Sequence, residues 1–282
     1  MTPQYRHSPL CQVICTLYAL CAVAAMAQPE LVLSTDEAFS GPGIAPGQQE
    51  ASMVDLTTGI WEHPPWVLAA ALPPHVSINA IDEHHDGAIF FSLDTDVVLD
   101  GTLYADEDII QWDGTAFSMA WDGSAWGVPP EVDLDALDVV DLVNFVVLCS
   151  FDSDVVLESY VSSGLYVLVA DEDVAWFDDL GFFFTLLDMS TLGIPESADL
   201  DGLSTLAWDT DFLFSFGEDV VIGSELYDDS DVIHWQYGSG FATTPWFDAS
   251  AFGIPPEVNL AAADDSPATP TGVPAELWSI YR

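Results

Sequence analysis

The stretch Phe90–Leu137, FFSLDTDVVLDGTLYADEDIIQWDGTAFSMAWDGSAWGVPPEVDLDAL, decides the fold, because most of it returns twice further along the chain. The later copies carry CSFDSDVVL from Cys149, ADEDVAWFDD from Ala170, FFFTLLDMSTLGIPESADLDGL to Leu203, FSFGEDVVIG from Phe214, DDSDVIHWQYGSG from Asp228 and WFDASAFGIPPEVNLAA to Ala262. A divergent first copy carries LVLSTDEAF from Leu31, MVDLTTGIW from Met53 and ALPPHVSINAID to Asp82. Self-similarity on this scale predicts a repeat architecture.

The repeat has a period of about 60 residues. The equivalent positions Pro74, Pro130, Glu196 and Pro256 are 56, 66 and 60 residues apart, with the differences falling in loops. We therefore predict an all-β repeat domain over residues 28–265, with copies at about 31–82, 88–138, 145–203 and 207–262.

Short runs rich in Val, Ile, Phe and Trp alternate with Asp/Gly/Ser clusters, which is the pattern of strands and turns. In the second copy it predicts four strands, Ala88–Asp94, Asp108–Trp112, Ala116–Trp121 and Val132–Val140. Asp113-Gly114 is a tight hairpin signal. No stretch sustains a helical period with a cap at each end, so capped helices are not expected.

Four-stranded units repeated along a chain predict a β-propeller-like ring, with a β-sandwich or an open stack of β units as alternatives. The chain enters the pattern at the second strand of a unit and leaves it after the first strand of a unit. That permutation would let the last strand pair with the first copy and close a ring. Residues 266–282 read as a Pro/Thr linker leading to a C-terminal strand.

Residues 1–27 read as a signal peptide, since an apolar run is followed by Ala25-Met26-Ala27, a small-x-small cleavage pattern. We therefore expect a secreted protein, periplasmic or extracellular, without membrane insertion after cleavage. Cleavage leaves Cys149 as the one cysteine, so no internal disulfide is expected. Cys149 aligns with Phe91 and Phe214, which predicts a buried, unreactive thiol.

The charge is extreme, with 47 acidic residues against two basic ones and a formal net charge of −45. The basic residues are Arg6, in the predicted leader, and Arg282, the last residue. Nucleic acids and anionic membrane surfaces would be repelled, so cations are the expected partners. Asp outnumbers Glu by 33 to 14, which suits both turn-capping and oxygen ligands for Ca²⁺.

Asp-rich loops recur on each side of a strand, and we expect them to meet at one end of each unit. Carboxylates gathered without a basic partner either raise their pKa values or recruit a cation. The candidate Ca²⁺ ligands are Asp94, Asp96, Asp106, Asp108, Asp152, Asp154, Asp171, Asp173, Asp219, Asp229 and Asp231. The alternative is that these residues cap turns and solvate strand ends.

Residues that break the repeat are better candidates for chemistry, because a catalytic group is needed once and a recurring acid reads as architecture. His84 and His85 could bind a transition metal, although an exposed loop is the simpler interpretation. His234 reads as a strand histidine packed on an aromatic ring. The recurring Trp residues read mainly as core, with exposed ones able to stack on sugar rings.

The strings FSLDTD, ADEDV, WDGS and VDLDAL resemble a repeat of uncharacterised secreted Asp-rich repeat proteins of bacteria, over residues 88–262. The resemblance implies no activity. The leading hypothesis is a non-enzymatic scaffold for binding or surface assembly, stabilised by Ca²⁺, with carbohydrate or another extracellular protein as the partner. The alternative is an extracellular enzyme or lectin-like module acting on carbohydrate.

Overall fold

The structure, a computed structural model, describes residues 30–35, 52–55, 60–62, 72–73, 76–84, 87–159, 165–207, 210–255 and 258–266. Strands dominate this part of the chain, as the repeat predicts. The predicted leader and nearly all of the predicted linker and terminal strand lie outside it. None of the described helices is both long enough and apolar enough to cross a membrane.

The strands group into four units, each with one four-stranded antiparallel sheet. Unit 1 begins with β1 (Glu30–Thr35), β2 (Ser52–Asp55) and β3 (Ile60–Glu62). Unit 2 contains β4 (Ile78–Glu83), β5 (Ile89–Leu93), β6 (Val97–Leu99), β7 (Thr102–Tyr104), β8 (Ile109–Trp112) and β9 (Phe117–Trp121). Its main sheet has the order β4-β5-β8-β9, while β6 and β7 form a separate hairpin.

Units 3 and 4 repeat this plan. Unit 3 contains β10 (Leu134–Asp141), β11 (Val146–Phe151), β12 (Val155–Ser159), β13 (Leu165–Val169), β14 (Val174–Phe177) and β15 (Phe183–Leu187). Unit 4 contains β16 (Gly202–Ala207), β17 (Asp211–Ser215), β18 (Val220–Ile222), β19 (Glu225–Tyr227), β20 (Ile233–Gln236) and β21 (Gly240–Phe241). The four strands predicted for the second copy are confirmed within two residues at each end, as β5, β8, β9 and β10.

The last strand, β22 (Leu260–Ser266), completes unit 1 by pairing antiparallel with β1. The sheet order is β22-β1-β2-β3, so strands from the two ends of the described chain share one sheet. The predicted closure by permutation is therefore confirmed. Strands β4, β10 and β16 each pair with the copy that follows them in sequence, and β22 pairs with the first copy, which shifts the sheet boundaries relative to the predicted copies.

The innermost strands β22, β4, β10 and β16 contact one another in a closed cycle, which gives a four-bladed β-propeller. Apolar clusters fill all four interfaces between neighbouring units. Side chains alternate between the two faces of a strand, so Phe90 packs toward unit 3 while Ile89 and Phe91 pack toward unit 1. Because both faces of β5 are covered, all five of its residues are buried.

The hairpins β6–β7, β12–β13 and β18–β19 were not predicted. In unit 2 the turn at Asp100-Gly101 has φ values of 48° and 86°, as a two-residue type I′ turn requires. The Asp113-Gly114 turn, which was predicted, is also present, because Asp113 Oδ1 accepts from the backbone N–H of Thr115 and Ala116 at 2.8 and 2.9 Å.

The expectation of no capped helices is wrong for three single-turn elements. These are α1 (Gly123–Trp126), α2 (Met189–Leu192) and a 3-10 helix (Ala249–Phe252). Their N-caps are Asp122, Asp188 and Asp248, and each ends at a left-handed glycine. The caps are real, but four residues are too few to show a helical period in the sequence.

Candidate metal centre

Each inner strand is preceded by the same turn. In every unit a backbone N–H donates to the carbonyl of a proline three residues earlier, at 3.0 Å. The four bonds are Val76 to Pro73, Val132 to Pro129, Ala198 to Pro195 and Val258 to Pro255. The turn therefore delivers equivalent residues of four units to one end of the propeller axis.

At two sequence positions that follow this turn, the residue type differs between units. The first holds Ser77, Asp133, Asp199 and Asn259, and the second holds Asn79, Asp135, Asp201 and Ala261. The register of β4 against β5, and of β10 against β11, shifts at Asn79 and Asp135. A β-bulge of this kind turns a side chain away from the regular alternation of the strand.

Asp135, Asp199 and Asp201 form the axial cluster, in which one carboxylate oxygen from each residue lies within 4.8 Å of the others. Asp135 and Asp201 are buried. Asn79 Nδ2 donates to Asp135 Oδ1 at 3.2 Å, and Asn259 Nδ2 donates to Asp201 Oδ2 at 2.8 Å. The cluster and its two amides thus combine residues from all four units.

The charged forms of the axial carboxylates are disfavoured. Burial, and then the charges of Asp199 and Asp201, raise the pKa of Asp135 to about 9. Burial and Asp201 raise the pKa of Asp199 to about 8, and burial and Asp106 raise the pKa of Asp133 to about 7. No Lys or Arg lies between residues 6 and 282 to offset these charges.

The size of the axial cluster suits a hard divalent cation. Ca²⁺ binds oxygens at roughly 2.3–2.6 Å, so two of its ligands can be at most about 5 Å apart. Asp199 Oδ1 is buried and accepts no hydrogen bond from the described residues. A Cβ at Gly217 would come within 2.9 Å of Asp201 Oδ1, so this glycine leaves the space that the carboxylate occupies.

Among the predicted Ca²⁺ ligands, Asp94 and Asp152 occupy the position of Gly217 in units 2 and 3. Asp94 Oδ1 accepts from Ser77 N at 2.8 Å, and Asp152 Oδ1 accepts from Asp133 N at 2.9 Å. Both therefore hold the start of an inner strand. The charge of Asp152 also contributes to the raised pKa values of Asp135 and Asp199, so Asp152 lies near the axial cluster.

Asp96, Asp106 and Glu107 form a second group, the turn cluster, with oxygens within 4.8 Å of one another. The structure thus brings together the loops on either side of the β6–β7 hairpin, as predicted. Burial, with the neighbouring Asp106, raises the pKa of Glu107 to about 7. In unit 3, Asp154 faces Asp171, whose pKa is also raised, mainly by burial.

Asp108, Asp173 and Asp231, which we call the anchor carboxylates, have a different role. Asp108 Oδ2 accepts from Ala105 N at 2.9 Å, and its Oδ1 accepts from Gly123 N at 3.0 Å. Asp173 and Asp231 accept the equivalent bonds from the starts of α2 and the 3-10 helix. This bonding accounts for each carboxylate without a metal, and metal binding by these three residues stays a prediction.

Unit 4 departs from units 2 and 3 at the turn cluster. Asp219 Oδ1 accepts from Asp229 N at 3.3 Å, so these two predicted ligands are neighbours. Ser230 occupies the position of Glu107 and Glu172, which removes one carboxylate from the group.

The residues that break the repeat are mostly structural. His84 is buried against the ring of Phe90 rather than exposed in a loop, and His85 lies outside the described residues. His234 Nε2 is 3.0 Å from Asp211 Oδ1. Cys149 is buried and burial raises its pKa to about 12, as expected for an unreactive thiol.

The axial cluster was missed by sequence reasoning. A signal for it was present, because VSINA, VDLDA, ADLDG and VNLAA align at the inner strands but differ at two polar positions. These Asp and Asn residues break the repeat just as His84 and His234 do, and their difference between copies is the signal that indicates them.

No family model matches the chain, and no curated protein matches it. The chain is similar to one chain of a solved structure described as "Crystal structure of Nidogen/Laminin Complex". The similarity covers 86% of this chain and 99% of that chain, at 8% identity and a TM-score of 0.38. Such a distant likeness carries no argument about function, and the fold is established by the strand pairing described above.

Proposed function

We propose that the chain is an exported β-propeller scaffold for binding, which holds a divalent cation such as Ca²⁺ at its axis. The observation that carries the proposal is the axial cluster, three carboxylates within 4.8 Å of one another in a chain whose described part has no cationic Lys or Arg. Export is supported by the leader predicted over residues 1–27.

The cation would have a structural role, linking neighbouring units of the propeller. Asp135 comes from unit 3 and Asp199 and Asp201 from unit 4, so an ion bound to all three would hold two units together at the axis. Asn79 and Asn259 extend the set to units 2 and 1, and their amide groups also carry carbonyl oxygens that Ca²⁺ accepts as ligands. The proposed ion would replace repulsion between carboxylates by attraction.

Thermal unfolding in excess EDTA and in Ca²⁺ tests the proposal. A ligand that binds only the folded state at about 100 times its dissociation constant adds about 2.7 kcal/mol to the free energy of unfolding. For a chain of this size we expect Ca²⁺ to raise Tm by about 5–10 °C. The double variant Asp135→Asn/Asp199→Asn should lose this shift, and in EDTA it should melt at or above the wild-type temperature.

The matched control is Asp122→Asn/Asp188→Asn, which also removes two carboxylates. These residues are helix N-caps, and Asn caps as well as Asp, so stability and the Ca²⁺ shift should both be retained. The proposal fails if Ca²⁺ leaves the wild-type Tm unchanged, or if the axial double variant keeps the full shift. If the Ca²⁺-induced rise in Tm is lost only in Asp96→Asn/Asp106→Asn, the cation binds at the turn cluster instead.

A further inference from the structure

Three hairpins each expose one aliphatic cross-strand pair. The register places Val98 opposite Leu103, Val156 opposite Leu168, and Val221 opposite Leu226. All six side chains are between 53 and 61% exposed. The same pair of residue types therefore recurs at equivalent positions of units 2, 3 and 4, on the surface of the propeller.

The other face of each hairpin is firmly packed. Val97, Leu99 and Tyr104 lie in the core between units 1 and 2. Val155, Leu157 and Val169 lie in the core between units 2 and 3, and Val220 and Tyr227 in the core between units 3 and 4. The exposed pairs thus sit on anchored strands, where folding needs no apolar side chain on the outward face.

Carboxylates border each exposed pair. Asp96, Asp154 and Asp219 lie two residues before Val98, Val156 and Val221 respectively, each at the position just before its strand begins. All three of these Asp residues are exposed. Glu158 extends the acidic border in unit 3, opposite Tyr166 in the register.

This charge pattern selects the occupant. A second copy of the chain would bring its own strong negative charge and no Lys or Arg from the propeller body. An aliphatic surface bordered by carboxylates is complementary to an aliphatic surface bordered by cations. Residues two apart on an extended segment share a face, so a segment with an aliphatic residue and a Lys or Arg at positions i and i+2 can present both to one hairpin.

We propose that these hairpins bind a partner protein through extended segments in which an aliphatic residue and a Lys or Arg lie two positions apart. Three equivalent hairpins on one rigid ring allow such a partner to bind at several points, which multiplies the effect of weak individual contacts. The inference extends the proposed role as a binding scaffold and does not depend on the axial cation.

Fluorescence anisotropy with two labelled peptides at physiological salt tests the inference. One peptide carries Lys and Leu in turn at every second position, with Ser between them, and the other has Ser in place of each Leu, so both have the same length and charge. We expect the wild-type protein to bind the Lys–Leu peptide about tenfold more tightly than the Lys–Ser peptide, a difference of about 1.4 kcal/mol. A six-fold variant, with Thr replacing each exposed Val and Leu of the three hairpins, should bind the two peptides equally.

A matched pair of double variants separates the hairpins from general surface hydrophobicity. Val221→Thr/Leu226→Thr should weaken Lys–Leu binding several-fold, whereas Val143→Thr/Leu180→Thr should not, although Val143 and Leu180 are 88 and 66% exposed. An unchanged peptide preference in the six-fold variant would overturn the inference. So would a wild-type dimer, detected by light scattering, that the six-fold variant lacks, because the occupant would then be a second copy.

The same six-fold variant is melted in EDTA and in Ca²⁺. It should fold and keep the wild-type Ca²⁺ shift, since none of its substitutions touches the axial cluster. Loss of peptide binding with a normal Ca²⁺ shift supports the hairpin inference. A normal peptide preference without any Ca²⁺ shift would instead count against the cation proposal alone.

Discussion

The axial cluster combines the buried Asp135 and Asp201 with the half-buried Asp199, whereas the anchor carboxylates are all buried. The two groups compensate for the absence of neighbouring basic residues in different ways. The two carboxylate oxygens of Asp108 accept hydrogen bonds from the backbone N–H groups of Ala105 and Gly123. Asp135 accepts a hydrogen bond from the side-chain amide of Asn79, and its carboxylate lies close to those of Asp199 and Asp201. The anchors recur in three units with the same partners, whereas the axial residues differ from unit to unit. The residues that recur in the units thus have a structural role, and the residues that differ between units form the candidate metal site.

The raised pKa values show the same contrast. Burial raises the pKa of Asp108, but bonds from Ala105 and Gly123 oppose the rise. At Asp135 the charges of Asp199 and Asp201 add to burial. A carboxylate that accepts N–H groups is stabilised in its charged form, and one that faces other carboxylates is not.

The largest effect of a single substitution should follow from removing an anchor. Asp108→Ala leaves two backbone N–H groups without their acceptor, and we expect the free energy of unfolding to fall by about 2–4 kcal/mol. Asp108→Asn, which keeps one acceptor oxygen, should lose roughly half as much. Denaturant unfolding in EDTA and in Ca²⁺ measures both.

We expect Asp108→Ala to retain the stabilisation by Ca²⁺, because Asp108 stabilises the fold through its bonds to backbone N–H groups. If the variant folds but no longer responds to Ca²⁺, Asp108 belongs to a cation site, and the division between anchors and the axial cluster breaks down.

A second effect should appear as a pH dependence of the metal-free protein. Asp135 has a pKa of about 9 in the folded state and an ordinary value of 3.8. Between these values the folded state holds a proton that the unfolded state has released, so the free energy of unfolding falls as pH rises from about 4 to about 9. Asp199 adds to the fall up to about pH 8.

Measuring Tm in EDTA between about pH 4 and pH 9 tests whether stability falls as pH rises. Saturating Ca²⁺ should reduce the fall, because the ion binds the deprotonated cluster. Asp135→Asn/Asp199→Asn should also flatten the curve. A wild-type Tm that rises steadily between about pH 5 and pH 9 in EDTA would show that the axial carboxylates are already ionised and stabilised by other groups.

The smallest effect should come from Gly217→Ala. The new Cβ would approach Asp201 Oδ1 to 2.9 Å and displace this flexible carboxylate from the cluster. We expect Ca²⁺ affinity, measured by calorimetry, to fall several-fold while stability in EDTA changes by less than about 1 kcal/mol. An unchanged affinity would show that Asp201 is not a ligand and would narrow the cluster to Asp135 and Asp199.

Much of the fold could be predicted because the repeat is visible in local sequence. Phe90–Leu137 contains its own strands and turns, and the permuted start and end predict the pairing of β1 with β22. The β6–β7 hairpin was missed although Asp100-Gly101 is the same kind of turn signal as Asp113-Gly114. Its two strands are only three residues each, too short to show alternation.

The turn cluster could be predicted and the axial cluster could not, for a physical reason. Asp96 and Asp106 are joined by one hairpin, so nearness in sequence implies nearness in space. Asn79 and Asn259 are brought to the same axis only by closure of the whole ring. Spacing along a chain carries no information on such contacts until the number of units and their order are known.

The seam between β1 and β22 also determines how the ring would respond to mechanical load. Glu30 lies opposite Ser266, so the first and last described residues lie at the same end of one antiparallel pair. A pull on both flanking segments would separate the two strands like a zipper, one hydrogen bond after another, rather than shearing all the bonds together. The propeller would therefore open first at this seam, while the sheets of units 2, 3 and 4 remained unloaded.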